Sequence, residues 1–519
     1  MPRVAWFAAA FGLGLLQAAA FWPLDHWLAA LLPAAGLFAL IHRRAACGGG
    51  ARAAAALAFA FGLGWFGGGL AWLFVSMHTY GGMPAPMAAA AVVLFAGYLS
   101  LYPTAATAVA WALCGGRAFG ATSAALAGSW TLAEIARGWV FTGFPWLSPG
   151  YAQLDGPLAH LAPWAGVFAV GGAAIGVSAL LGGAIAALVA ARRREGGRLL
   201  ATAAITLGAA AAVPHAGWTR PHGEPLTVRL VQGNVAQDMK FRADRVVAAM
   251  SAYAAEFEAS QATLTVLPET AWTVPWPHTP APIAQRVLAH VARGHALAIG
   301  MPLPAAGRDD GRLANSVLLL EPGRAADPSR PATRYDKQHL VPFGEFVPWG
   351  FGWFVRMMQI PLGEFARGDA AQPPFEVGGQ RIAFNVCYED LFGEEIRRAL
   401  DGERGATVLA NVSNIAWFGR SHALPQHLAI ARMRSLETGR PMLRATNTGV
   451  TAAIDGGGRV IAALAPHVAG SLDVRIQGTD GLTPFARAGN APAIAAALLL
   501  VAAAGLATRS RAGSRGQTG

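Results

Sequence analysis

Three residues have the types and settings that nucleophilic acyl transfer requires: Glu269, Lys337 and Cys387. Cys387 ends the apolar run Ile382–Val386 and is followed by Tyr388, Glu389 and Asp390, so an alternating strand closes in a charged turn. Such a junction exposes a side chain beside backbone N–H groups. A thiol titrates near about 8.5 and attacks as the thiolate, so it needs a base or a positive neighbour. Glu269, after LTVLP, is a candidate base once partly desolvated. Lys337, in RYDKQHLVPFGE, offers an ammonium to stabilise the thiolate and then an oxyanion, with the Tyr388 backbone N–H as a second donor. The chain has 40 lysine and arginine residues, of which only Lys240 and Lys337 are lysines. An amine kept against that arginine background points to a need for adjustable pKa. Each residue alone also has a plainer reading: a small core cysteine, a solvated strand end, a surface pair of Lys337 with Asp336.

The elements that must position these residues lie between about Leu226 and Val474. Strand-like runs occur at Leu226–Gln232, Leu264–Pro268, Leu297–Met301, Ser316–Leu320, Ile382–Val386, Thr407–Val412 and Leu443–Ile454. Helical patterns fall between several of them, at Arg242–Ser260, Pro282–Arg293 and Ala423–Thr438. Strands alternating with helices predict a layered α/β sheet, whose functional groups gather at the carboxyl ends of strands. All three reactive residues follow a strand.

The rest of the chain is different in kind. The sequence is 54% hydrophobic and 13% charged, unusual for a soluble protein. Apolar segments near the ~20 residues a bilayer core requires run at 4–22, 24–41, 53–77, 86–113, 119–137, 161–191, 199–217 and 490–508, predicting about eight membrane helices. The first has a signal-peptide look around Ala18–Ala20, but a second span follows at once and a retained anchor is expected. The net charge of +11 does not argue for nucleic acid, because the arginines cluster between apolar runs. Arg3, Arg43, Arg44, Arg52, Arg117, Arg192–Arg194, Arg198, Arg509, Arg511 and Arg515 all fall on one face. The loops Met77–Pro86 and Thr142–Ala159 on the other face carry no lysine or arginine. Both termini are therefore expected in the cytoplasm and the α/β segment outside.

The aromatic loop Gly138–Asp155 reads either as an interfacial belt or as the lining of a lipid entrance. Glu134 and Arg137, three residues apart, read as a local or snorkelling pair. The aromatic stretch Phe346–Met358 reads as a lid, a membrane-dipping arm or ordinary packing. Three cysteines, Cys47, Cys114 and Cys387, form no disulfide framework. No metal-ligand spacing and no convincing phosphate loop is present.

The order of Glu269 in LPET, Lys337 in YDKQHLVPFGEFVP and Cys387 in VCYED resembles the Glu–Lys–Cys triad of the nitrilase superfamily. RGWVFTGFPWL, LVQGN, HLVPFGEFVP, NVSNIAWFG, ARMRSLETGRPMLRATNTG and the last apolar segment extend the match, and nearly the whole chain resembles the bacterial apolipoprotein N-acyltransferases. That resemblance implies a nitrilase-like αββα sandwich inserted before the last helix of an eight-helix transmembrane bundle. The domains it implies are 1–220 in the membrane, 221–482 extracytoplasmic and catalytic, and 483–519 as the last helix and a basic tail. It implies a ping-pong acyltransferase of the bacterial inner membrane, with its catalytic domain periplasmic and no cofactor. The donor would be a phospholipid such as phosphatidylethanolamine, and the acceptor the α-amine of a diacylglyceryl-cysteine on an apolipoprotein. Cys387 would be the nucleophile, Glu269 the base and Lys337 the charge stabiliser, with Glu345, Tyr388 and Glu389 in support. Phe241 stands where the family carries a tryptophan, which puts any indole-specific role in doubt. The competing readings are a membrane-tethered hydrolase, in which water resolves the thioester, and a transporter with an extracytoplasmic receptor domain. Against the latter, the spans hold few ionisable residues.

Overall fold

The structure, a computed structural model, describes residues 2–115, 118–237, 240, 243–307, 310–323, 333–352 and 364–516. Arg117, Phe241 and the end of the Phe346–Met358 stretch lie outside the described residues. The chain divides into two compact units. One comprises Met1–Phe74, Ala85–His215 and Ala488–Gly519, and the other Val75–Pro84 and Ala216–Arg487.

The first unit is helical. Among the described residues six helical stretches are long and apolar enough to cross a membrane: Arg3–Phe21, Trp27–Ala46, Ala51–Gly69, Ala85–Cys114, Pro157–Val189 and Ala491–Arg509. Large apolar side chains such as Phe7, Leu16, Leu32, Leu94 and Leu499 stay exposed on them, as lipid-facing positions should. Two further long helices of this unit have a composition that keeps them from counting as apolar spans, so the expected count of eight is not reached on that criterion. Phe119–Arg137 carries Glu134, Arg137 and several hydroxyls, and Arg193–Ala212 opens with arginines and Glu195. Helix contact in this unit depends on missing side chains. A Cβ on Gly14 would lie 2.0 Å from the Phe61 carbonyl oxygen, and one on Gly64 would lie 2.2 Å from that of Phe11. The first and third helices therefore touch backbone to backbone.

The second unit is an α-β-β-α sandwich of two six-stranded mixed sheets. In chain order the strands are β1 Leu226–Gln232, β2 Leu264–Val266, β3 Ala296–Pro304, β4 Leu313–Leu320, β5 Thr333–Asp336, β6 Phe375–Val377, β7 Gln380–Val386, β8 Val408–Ser413, β9 Met442–Thr446, β10 Ala452–Ile454, β11 Val460–Ala463 and β12 Gly470–Ile476. The first sheet runs β12-β1-β2-β3-β4-β5 and the second β11-β10-β9-β8-β7-β6. Each has a parallel core of three strands, β1-β2-β3 and β7-β8-β9, flanked by antiparallel strands.

Parallel pairing demands crossovers, supplied by the helices Ala243–Glu258, Ala281–Ala292 and Ala423–Thr438 and by the turns at Gly393–Leu400. Side-chain alternation assigns the faces. Val228, Leu230, Leu264 and Val266 meet Phe384, Val386, Val408 and Val412 in the core between the sheets. Val231, Leu297 and Ile299 face the first two helices, beside Tyr253, Phe257 and Val287. Leu409, Met442 and Ala431 pack on the far side of the second sheet. With both faces covered, the central strands read as unbroken apolar runs. The expected strand Leu443–Ile454 is instead the hairpin β9–β10, because the bend at Asn447–Gly449 separates two strands that pair antiparallel with each other.

Candidate active site

The carboxyl ends of β2, β5, β7 and β8 share one edge of the sandwich, and the residues that follow them supply the site. Glu269 follows β2, Lys337 follows β5, Cys387 follows β7 and Asn414 follows β8. The Glu269 backbone crosses directly over Gly300, where a Cβ would lie 2.3 Å from the Pro268 carbonyl oxygen and 2.7 Å from the Glu269 Cα. Only glycine fits there.

Glu269 is buried, and both carboxylate oxygens are engaged. Oε1 accepts from Asn315 Nδ2 at 2.7 Å and Oε2 from the Asn414 backbone N–H at 2.6 Å. The Lys337 Nζ, 3.7 Å from Glu269 Oε1, donates to Glu345 Oε1 at 3.0 Å and lies 2.9 Å from Glu345 Oε2. Asn315 Nδ2 also donates to Glu345 Oε1 at 2.8 Å, and the Val341 N–H donates to Oε2 at 2.8 Å. Glu345 thus holds the lysine to the strand pair that carries it. Burial alone would push the Lys337 amine down, but Glu345 and then Glu269 outweigh it and hold the ammonium well above its ordinary range.

Cys387 begins a short 3₁₀ turn with φ +54°, in the left-handed region, and Thr270, directly after Glu269, has φ +48°. For non-glycine residues each such conformation costs on the order of 1–3 kcal/mol, and such strain clusters where a site over-determines the backbone. Burial and then the Glu269 charge push the Cys387 thiol up to about 12, while Lys337 pulls it down. The resting group is therefore a thiol, and it needs a base at the moment of attack.

Glu389 does not bind the lysine directly. It is a buried acceptor for four donors: the N–H groups of Gln338 (2.7 Å), His339 (2.9 Å) and Val386 (2.6 Å) and the Tyr335 hydroxyl (2.9 Å). It therefore ties the segment after Lys337 to the strand before Cys387. Burial pushes it up to about 7, against the pull of Lys337 and these hydrogen bonds. The Tyr388 ring packs against His339 at 5.7 Å and Phe392 at 5.2 Å.

Lys240, flagged in the sequence only as one of two lysines, belongs to the same neighbourhood. Its Nζ donates to the Glu269 backbone oxygen at 3.1 Å. Burial drives its amine down to about 7, opposed by the charges of Glu269 and Cys387. Asn315 and Asn414 had no assigned role in the sequence, although Asn414 lies in the NVSNIAWFG motif. Among the described residues no group of His, Cys, Asp or Glu side chains could hold a metal ion. The set of a buried carboxylate, a clamped ammonium and a strained cysteine can deprotonate a thiol and stabilise the anion that forms when it adds to a carbonyl.

Comparison with known proteins gives two family matches, Apolipoprotein N-acyltransferase N-terminal domain over residues 13–180 and Carbon-nitrogen hydrolase over residues 227–479. An apolipoprotein N-acyltransferase of Ralstonia nicotianae is 47% identical over 97% of this chain and 93% of its own. One of Bordetella bronchiseptica is 45% identical over 89% of each chain. Among solved structures, a CN-hydrolase superfamily protein of Xanthomonas campestris is 22% identical with a TM-score of 0.36, covering 49% of this chain and 91% of that one.

Proposed function

The chain belongs to the apolipoprotein N-acyltransferase family, and from that premise we propose that Cys387 carries an acyl chain from a phospholipid to the N-terminal amine of an apolipoprotein. The protein is a membrane acyltransferase of the carbon–nitrogen hydrolase superfamily, and its reaction is lipoprotein N-acylation. Glu269 takes the Cys387 thiol proton as the sulfur adds to the ester carbonyl carbon of the donor. The oxyanion meets the Lys337 ammonium and the Tyr388 N–H. As the carbonyl reforms, the glycerol oxygen leaves and takes the proton from Glu269, giving a lysophospholipid and a thioester. The amine of the diacylglyceryl-cysteine then adds to the thioester, its proton passes to Glu269, and the thiol is restored as the amide forms.

The observation that carries this reading is that the Lys337 ammonium is held by Glu345 at 2.9 Å and faces the buried Glu269 carboxylate at 3.7 Å, at the sheet edge where Cys387 follows its strand. The preferred donor is phosphatidylethanolamine, and the catalytic unit is periplasmic with both termini cytoplasmic. The one-sided arginine distribution supports that orientation. A site at the membrane surface leaves the lipid tails in the bilayer, where each buried methylene contributes about 0.8 kcal/mol against extraction. Incubation with phospholipid and then a diacylated lipopeptide is expected to yield a triacylated lipopeptide and lysophospholipid. Free fatty acid as the main product, with the lipopeptide unchanged, would replace transfer with hydrolysis.

A further inference from the structure

Behind the nucleophile, on the helix-covered face of the second sheet, lies a buried polar cluster that the transfer mechanism does not use. Asp390, Asn411 and Arg444 are fully buried and His427 is 1% exposed. The cluster meets the site at the backbone carbonyl oxygen of Cys387. That oxygen accepts from Asn411 Nδ2 at 3.2 Å and from His427 Nε2 at 3.3 Å.

The polarity of both donors is fixed by chemistry. Arg444 Nη2 lies 2.5 Å from His427 Nδ1, and a guanidinium can only donate, so Nδ1 must carry the lone pair. The imidazole proton therefore sits on Nε2, shared between Asp390 Oδ1 at 3.0 Å and the Cys387 oxygen. Burial and the Arg444 charge lower the His427 pKa, in keeping with this neutral form. Arg444 Nη1 donates to Asp390 Oδ2 at 3.2 Å and to Asn411 Oδ1 at 3.4 Å. With its oxygen turned to arginine, the Asn411 amide presents its N–H groups to Asn385 Oδ1 at 2.6 Å and to the Cys387 oxygen.

We infer that His427 and Asn411 are positioning residues that clamp the peptide unit between Cys387 and Tyr388, and so aim the Tyr388 N–H at the oxyanion. A peptide unit is planar and trans, so its C=O and the next N–H point in opposite directions as one rigid body. Two donors on the oxygen set the direction of the N–H and, by polarising the amide, strengthen it as a donor. Cys387 sits at φ +54°, a conformation that relaxes unless it is held. The inference rests on the reading of the Tyr388 N–H as an oxyanion donor.

The test uses the full-length enzyme and three readouts. The first is single-turnover acylation of Cys387 by phospholipid, and the second its alkylation by iodoacetamide. The third is binding of a long-chain aldehyde, which adds to the thiol as a hemithioacetal with its oxygen in the oxyanion position. Alkylation passes through no oxyanion and so reports the thiol alone. His427→Phe keeps a ring but no donor, and should lower acylation and aldehyde affinity about 10- to 100-fold while alkylation stays within about twofold. His427→Gln keeps an acceptor for Arg444 and an N–H for the carbonyl, and should recover acylation to within about fivefold of the wild type.

Parallel loss of alkylation and acylation, not rescued by glutamine, is a packing defect and overturns the inference. Tight aldehyde binding that His427→Phe leaves unchanged also overturns it, with the oxyanion reading intact. If the wild type binds the aldehyde no better than the matching alcohol, the oxyanion reading falls and the inference with it. Should His427→Phe not accumulate, Asn411→Leu removes the other donor and is judged by the same readouts.

Discussion

Two buried cations in this molecule are satisfied in opposite ways. In the helical unit, Arg137 donates Nε to Glu134 Oε1 at 3.2 Å and Nη2 to Oε2 at 2.5 Å. Its Nη1 serves the carbonyls of Phe144 and Trp146, and its guanidinium lies 5.3 Å from the centre of the Phe66 ring. The charges pair with each other and the Nη1 donors are committed to backbone, so the arginine anchors the aromatic loop at the end of its helix. In the α/β unit, Lys337 faces two carboxylates, one clamping it at 2.9 Å and the other at 3.7 Å. That arrangement leaves a surplus negative charge beside a thiol. A buried ion pair serves structure when its partners exhaust each other. It serves chemistry when one acceptor remains for a proton.

Matched substitutions in the two pairs sharpen this contrast. The largest effect is expected from Glu269→Gln, which should slow acylation about 10²- to 10⁴-fold. It should also slow iodoacetamide alkylation of Cys387, because the resting thiol loses the base that takes its proton. Glu134→Gln should alter neither rate in the folded protein. Alkylation that Glu269→Gln leaves as fast as in the wild type would mean that the carboxylate does not take the thiol proton.

Exchanging the cations comes next. Lys337→Arg should lower acylation about 100-fold, since a planar fork cannot reproduce a compact ammonium between Glu345 and Glu269. Arg137→Lys should instead cost stability, about 1–2 kcal/mol in thermal unfolding, with acylation per folded molecule retained. Near-normal turnover in Lys337→Arg would remove the lysine from the mechanism.

The smallest effect concerns Lys240. Its folded-state pKa is depressed to about 7, whereas the unfolded chain titrates near about 10.4. Between those values the unfolded chain holds a proton that the folded protein has lost, so this group makes stability rise with pH across that window. Below about pH 7 the buried charge imposes its full penalty. Lys240→Met should flatten the rise in unfolding midpoint between about pH 7 and pH 10. An unchanged slope would mean that the amine is not buried as described.

Much of the layered fold was readable because both sheet faces are covered. β1 and the helix Ala423–Thr438 coincide with their sequence patterns to the residue. Short edge strands such as Thr333–Asp336 and Phe375–Val377 carry too few residues for a period to show. Cys387 and Glu269 stood out because reactive types follow apolar runs, and Lys337 because it is one of two lysines against an arginine background. Their partners did not, because the contacts that define them span long separations: Asn414 to Glu269 across 145 positions and Tyr335 to Glu389 across 54. Arg444 left one usable signal. An arginine between Leu443 and Ala445 in an otherwise apolar strand has to be buried, and a buried arginine requires acceptors.

The central claim, that the acyl chain travels on one sulfur, is tested most directly by mass spectrometry of the protein after incubation with phospholipid alone. A fatty-acyl adduct on the Cys387 peptide, removed by neutral hydroxylamine and absent from Cys387→Ser, is the expected result. An adduct on Cys47 or Cys114, or acyl transfer that persists in Cys387→Ser, would contradict the account.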